Sequence, residues 1–349
     1  MTQLALLLRA DASHVLGAGH VMRLIALADA ARAAGVAARF IVGGDPAPML
    51  AVLAARGHAA APAGGALTED LAAHAAALAP ARVAIVLDGR FDPAAVTALV
   101  ARGLAVAALD DQALAPLPAT LIVNPALGAE TLADRYPHAT VRLLGRAYAL
   151  LRQDVLAQPR LAPTTARRRV LVTFGGSDPL GATPRMLTAL VAAQAAVARA
   201  APLAIDVVIG AQFAHRDPLQ HAVALARAAG HAVDLRVQVA DLPALMAGVD
   251  VAISGAGGTL AELAYLGRPT AAYAIAPDQI EVARAHAATG RVHGGLDLTV
   301  ADDTALAASL AEFLADDAGR LARAARAADD VDGAGAARVL RGLDALAPG

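Results

Sequence analysis

Residues 4–34 read LALLLRADASHVLGAGHVMRLIALADAARAA. An apolar run, Leu4–Leu8, gives way to a polar loop. The loop ends in Gly17-Ala18-Gly19, and a stretch rich in Ala and Leu follows from Gly19 to about Ala34. A short buried strand, a Gly-bearing loop and a helix are the first half of a strand–helix–strand unit. The same order recurs along the chain. Further β-type runs lie at Arg39–Val42, Val83–Leu87, Leu104–Leu109 and Thr120–Val123. A second series lies at Arg169–Phe174, Ile205–Ile209, Val233–Val239, Val251–Ser254 and Thr270–Tyr273. Ala/Leu-rich stretches separate most of them, and after Ala301 only helix-like sequence remains. Alternation of this kind predicts α/β architecture, with parallel sheets covered by helices on both faces.

The two series are separated by LLRQDVLAQPRLAPTTARRR, whose Pro159 and Pro163 read as a linker. The expected domains are therefore 1–158 and 165–349, with a cleft between them. Ligands of open parallel sheets bind outside the C-terminal ends of the strands, so chemistry is sought in the loops that follow them.

Composition removes several chemistries. The chain has 349 residues, a formal net charge of −2 and no cysteine, and all of its 29 basic Lys/Arg side chains are Arg. Disulfides, thiolate nucleophiles and Cys-based zinc sites are excluded, as are a Walker A lysine and Schiff-base chemistry. The near-neutral charge gives no sign of nucleic acid or an anionic membrane as partner. The opening apolar run is too short for a signal peptide, and no stretch reads as a membrane span, so a cytoplasmic protein without membrane insertion is expected. The ten His residues show no H-x-x-x-H or H-E-x-x-H spacing, so no metal site is expected. A dinucleotide fingerprint in the first loop would need Gly or Ala where Met22 stands.

Three loops carry the chemistry that remains. In the first, His20 stands one residue after Gly19, in the first turn of the expected helix. The positive end of the helix dipole disfavours an imidazolium, which predicts a neutral His20 able to accept a proton. The alternative is a capping or solvent-facing His. In the second loop, Gly175-Gly176-Ser177 follow a strand and precede a helix. They read either as a phosphate cradle or as a tight turn. The third has Gly257-Gly258-Thr259 at a helix start, with Glu262 one turn further on, where a carboxylate suits a pair of ribose hydroxyls or caps the helix. Asp110-Asp111 reads as a carboxylate pair or a solvated turn.

Together these loops resemble a known family. R-A-D-A-S…G-A-G-H-V-M-R is similar to the opening of the hydrolases of UDP-2,4-diacetamido-2,4,6-trideoxy-β-L-altropyranose, which serve pseudaminic acid biosynthesis. The match continues in order through Leu109-Asp110-Asp111, Val123-Asn124-Pro125 and the segment Leu144-Gly145-Arg146-Ala147-Tyr148-Ala149-Leu150-Leu151-Arg152. It then takes in Phe174-Gly175-Gly176-Ser177-Asp178-Pro179 and Gly257-Gly258-Thr259-x-x-Glu262. That family resembles the GT-B glycosyltransferases, especially the lipid II-forming N-acetylglucosaminyl transferase. The resemblance thus implies two Rossmann-like domains with UDP held mainly by the second.

It further implies inverting hydrolysis of a UDP-sugar without metal or other cofactor, in a monomer whose partner is a small-molecule substrate. His20 would be the base. Gly175, Gly176, Ser177, Gly257, Gly258 and Thr259 would flank the diphosphate, and Glu262 would hold the ribose. Asp11, Gly17, Gly19, Arg23, Asp88, Arg152, Asp278 and Gln279 would line the substrate, Arg152 near the nucleotide. Two positions depart from the family. Asp88 is followed by Gly89-Arg90-Phe91 where a Tyr is common, and Asp278 stands where Asn is common. Both face the sugar in the family. The rival activity is GT-B glycosyl transfer from a UDP-sugar, with an acceptor hydroxyl in place of water. A third reading is a nucleotide-sugar binding protein serving surface-glycan assembly.

Overall fold

Leu4–Ala12 forms β1, which runs past the apolar residues because one neighbour pairs it to its last residue and the other as far as Ala10. Asp11 and Ala12 face Gly43 and Gly44 on one neighbour, and Ala10 faces Asp88 on the other. Successive side chains point to opposite faces. Leu4, Leu6, Leu8, Ala10 and Ala12 pack with Val21, Leu24 and Ile25 of helix Gly19–Ala33. Leu7 packs on the other face with Ile85, Leu87, Val96 and Leu99. Burial on both faces is what a central parallel strand requires.

In this computed structural model the described residues are 3–12, 19–79, 81–113, 115–197 and 201–346. Two units are present, Met1–Gln153 with Gly333–Gly349, and Asp154–Asp332. The first unit holds a parallel sheet of β1, β2 (Ala37–Gly44), β3 (Ala59–Pro62), β4 (Arg82–Asp88), β5 (Ala105–Leu109), β6 (Leu121–Asn124) and β7 (Val141–Leu144). Its order is β3-β2-β1-β4-β5-β6-β7. The second holds β8 (Arg169–Thr173), β9 (Ala204–Ile209), β10 (Ala232–Val237), β11 (Val251–Gly255), β12 (Thr270–Ala274) and β13 (His293–Asp297), in the order β10-β9-β8-β11-β12-β13. Each sheet reverses its direction of growth next to its first strand, at β1/β4 and at β8/β11. Those reversals open the crevice where ligands of such sheets bind.

The C-terminal boundary differs from the 165–349 domain expected from sequence. Helix Gly335–Leu346 belongs to the first unit, where Val339, Leu340 and Leu343 enter the cluster around β1. Gly335 lets the helix start against the chain: a Cβ there would lie 2.1 Å from the Ala149 carbonyl oxygen. Arg82 fixes the far end through the Asp344 carboxylate at 2.5 Å.

Three strands absent from the sequence reading, Ala59–Pro62, Val141–Leu144 and His293–Asp297, all lie at sheet edges. An edge strand is short and only partly covered. Its sequence therefore lacks the apolar run that marks an interior strand, as AAAP and HGGLD show.

Candidate active site

Helix Gly19–Ala33 starts beside β4, and its first two turns present His20 and Arg23 to one carboxylate. His20 Nδ1 lies 2.7 Å from Asp88 Oδ1. Arg23 donates from Nε to Asp88 Oδ2 at 2.8 Å and from Nη2 to Asp88 Oδ1 at 2.6 Å. Its Nη1 donates to Asp111 Oδ2 at 2.5 Å. Asp88 is the last residue of β4, and Asp111 follows β5, so the cluster sits at the C-terminal ends of neighbouring strands. The His20 side chain is 34% exposed and that of Asp88 is wholly buried.

The hydrogen bond to Asp88 raises the pKa of His20; partial burial opposes it, and the Asp88 charge adds to the rise. The helix start was expected to keep His20 readily neutral. A buried carboxylate at hydrogen-bond distance outweighs that dipole, and the direction reverses. Burial alone would push Asp88 up, but the charge and hydrogen bonds of Arg23, with those of His20, hold it below the usual carboxylate range. With Nδ1 bound to the carboxylate, Nε2 is the nitrogen left to face a ligand.

Two substrate-lining expectations are corrected by this geometry. Asp88 has no exposed carboxylate, and it holds His20 and Arg23 instead. Arg23 commits all three guanidinium nitrogens to carboxylates. Asp110 and Asp111 do not act as a pair either. Asp110 Oδ1 accepts the Gln112 and Ala113 amides at 3.1 and 2.9 Å, closing a turn, while Asp111 anchors Arg23. The sequence signal for Asp111 was available: an acidic residue just past a buried strand end, like Asp88.

Asp11 lies on the opposite face of β1 from the residues that pack under the His20 helix. Its Oδ1 pairs with Arg9 Nη1 at 2.7 Å, and Phe91 carries the Arg9 guanidinium 5.4 Å from its ring centre. Gly43 makes room for that pair, since a Cβ there would lie 2.1 Å from Asp11 Oδ1. Gly19 opens the His20 helix, with free space where a side chain would stand. Gly17 lies outside the described residues. Arg152 is half-buried near the end of the first unit's main segment. In Val123-Asn124-Pro125, Asn124 donates to Tyr136 Oη at 2.9 Å and accepts the Ala126 amide at 2.9 Å, a structural role.

In the second unit, Gly175, Gly176 and Ser177 follow β8, but the helix after them is already capped. Asp178 is buried; its carboxylate accepts the Ala182 amide at 2.9 Å, the Thr183 amide at 2.8 Å and the Thr183 hydroxyl at 2.6 Å. An internal carboxylate thus occupies the N-terminus expected to receive phosphate, leaving the Gly175–Ser177 turn as the exposed part. Asp178→Ala should destabilise the protein by about 1–2 kcal/mol, as loss of an N-cap does. Urea denaturation would measure this.

Gly176 and Gly258 have no conformational need for glycine. Neither has a positive φ, and a Cβ on either would meet nothing within 4 Å. Gly257 is nearly as open, with Gln279 Nε2 3.9 Å from such a Cβ. Gln279 also accepts the Ile275 amide at 3.3 Å through Oε1, so its side chain lies along the Gly255–Gly257 turn. Asp278 is exposed in the same short 3₁₀ turn, Pro277–Gln279. Thr259 opens helix Thr259–Tyr265, and Glu262 is half-buried one turn beyond Gly258. Among the described residues no group of three or more His, Asp or Glu could hold a metal ion. No described helix is long and apolar enough to cross a membrane.

The fold is a two-domain GT-B-like α/β fold. It is similar to MurG of Acinetobacter baumannii, with a TM-score of 0.69 and 16% identity over 99% of each chain. The spinosyn rhamnosyltransferase SpnG complexed with thymidine diphosphate has a TM-score of 0.63 and 18% identity, over 98% of this chain and 100% of that one. UDP-GlcNAc 2-epimerase from Neisseria meningitidis, bound to UDP-GlcNAc, has a TM-score of 0.62 and 13% identity, over 99% and 100%. No family model matches the sequence, and no curated protein does.

Proposed function

We propose that the chain is an enzyme that breaks the anomeric C–O bond of a nucleoside-diphosphate sugar. The observation that carries this is His20, whose Nδ1 is fixed 2.7 Å from the buried Asp88. An imidazole held this way is oriented as a general base, with the carboxylate stabilising the imidazolium that forms. An incoming hydroxyl oxygen bonds to the anomeric carbon and gives its proton to Nε2. The bond to the diphosphate breaks with its electron pair going to the diphosphate oxygen, and configuration inverts.

The open glycines of the second unit support a nucleotide diphosphate as leaving group. Bare backbone facing free space lets a ligand's oxygens approach the amides closely. Gly258→Ala should weaken UDP binding on the order of tenfold, about 1.4 kcal/mol, with little loss of stability because the added Cβ meets nothing within 4 Å. Loss of a ribose hydroxyl pair in Glu262→Ala should weaken it by about 1–3 kcal/mol. Calorimetry with UDP checks both. Unchanged affinity in both variants would remove UDP from these loops.

Glycosyl transfer to an acceptor hydroxyl is the first reading of the nucleophile, because the fold is shared with the rhamnosyltransferase and with other glycosyltransferases. Hydrolysis is the second. The R-A-D-A-S opening and the Tyr148–Arg152 segment favour it, with a UDP-activated deoxy-diacetamido sugar as substrate. Incubation with several UDP-sugars and no acceptor separates them. Free sugar and UDP in equal amounts mean water is the nucleophile; UDP release only on adding an acceptor means transfer. No release in either case would leave binding without turnover.

A further inference from the structure

We infer that Arg23, anchored by Asp111, is a positioning residue that holds the Asp88 carboxylate against His20 and limits how tightly His20 binds its proton. The inference rests on the reading of His20 as base for its kinetic part only. Its structural part is the four-residue chain itself.

His20 and Arg23 occupy adjacent turns of one helix, while Asp88 ends β4 and Asp111 follows β5. Asp88 Oδ1 receives both His20 Nδ1, at 2.7 Å, and Arg23 Nη2, at 2.6 Å. Arg23 Nε takes Oδ2 at 2.8 Å, so the carboxylate is gripped at both oxygens and cannot turn away from the imidazole. The remaining arm, Nη1, reaches Asp111 at 2.5 Å. The Asp111 side chain is 41% exposed and that of Arg23 20%. Among the described residues, the charged groups acting on His20 are Asp88, Arg23 and Asp111.

The charges explain why three partners are needed. A buried carboxylate alone with an imidazole would hold it as imidazolium, a poor base. Arg23 shares the Asp88 charge and repels a proton on His20. Two carboxylates and one guanidinium sum to −1, so proton uptake by His20 brings the cluster to zero. Deprotonation leaves a single negative charge, whose exposed end is at Asp111, where water screens it.

The two outer members of the chain therefore act on His20 with opposite sign. Arg23→Gln removes a repelling charge, and His20 should bind its proton more tightly. Asp111→Asn removes an attracting charge, and His20 should bind it less tightly. Each change should be roughly threefold or more in proton affinity, given charges a few ångströms apart. The test is a pH titration of the His ring signals by NMR in the full chain, with His20 assigned by its loss in His20→Gln. Arg23→Lys restores the charge but has one nitrogen where three are used. It should return the titration toward wild type while kcat stays reduced. If Arg23→Gln does not fold, Asp111→Asn carries the test, since Asp111 is exposed: weaker proton binding by His20 supports the relay, and unchanged or tighter binding overturns it.

Shifts of opposite sign support the relay. Shifts of the same sign, or none, overturn it. If the titrations separate as expected but the acid limb of kcat/KM does not follow them, the relay stands and His20 is not the base.

Discussion

His20→Asn should lose turnover by about 10²–10⁴, the usual cost of removing a positioned general base. UDP affinity should stay within a few-fold, because the loops proposed to hold the nucleotide lie in the other unit. The pH dependence has a definite sign. His20 must be neutral to accept a proton, and Asp88 raises its pKa above the ordinary 6.5. The acid limb of kcat/KM should thus fall on the alkaline side of that value in the wild type and disappear in the variant. Oxygen-18 from water would enter the sugar's anomeric position if water is the nucleophile, and the diphosphate should carry none. Near-normal turnover in His20→Asn would leave His20 as a helix-start residue bound to Asp88 and nothing more.

Asp88→Ala should be the most destabilising single change in the first unit's site, costing about 3–5 kcal/mol. That is the usual cost of leaving a buried charge without its partner, here the Arg23 guanidinium, with Asp111 as its remaining counter-ion. Thermal melting and urea denaturation would measure it. The pH dependence separates the two groups. The folded-state pKa of Asp88 is depressed, so its contribution is present above the unfolded carboxylate value of about 3.9 and is lost as pH falls through the lower folded value. His20 is raised, so its contribution is full below about 6.5 and is lost as pH rises through the folded value. Asp88→Ala should abolish both dependences, whereas His20→Asn should abolish only the second. A variant as stable as wild type at every pH would mean that the Arg23 charge finds equivalent solvation without Asp88.

Interior strands such as Leu4–Ala12 and Arg82–Asp88 were legible because burial on both faces forces continuous apolar runs. Three of the four edge strands, His293–Asp297 among them, were not, since their residues meet solvent and carry no such pattern. His20 could be singled out from its place after Gly19, because the motif is local. Its partners could not, since Asp88 and Asp111 lie 68 and 88 residues from the side chains they bind. Sequence periodicity marks faces of elements and not pairs of loops; only the family resemblance brought Arg23 and Asp88 forward, as substrate-lining residues, and the structure binds them to each other. Asp178 is a different case: its partners Ala182 and Thr183 are only four and five residues away, but Gly175-Gly176-Ser177 reads as a phosphate cradle or a tight turn without it. Its own carboxylate fills the helix N-terminus. The return of helix Gly335–Leu346 was also invisible, because its apolar stripe would suit any sheet face.

That return has a consequence for how the chain is made. The second unit is one continuous stretch, Asp154–Asp332, while the first needs Gly333–Gly349 as well. As the polypeptide leaves the ribosome, the β1 cluster stays open on one side until Val339, Leu340 and Leu343 have emerged. The unit synthesised first is therefore the last to be finished, and the later one can close while its predecessor still waits. Released chains truncated after Asp332 would display a second unit protected from protease and a first unit that is still being cut.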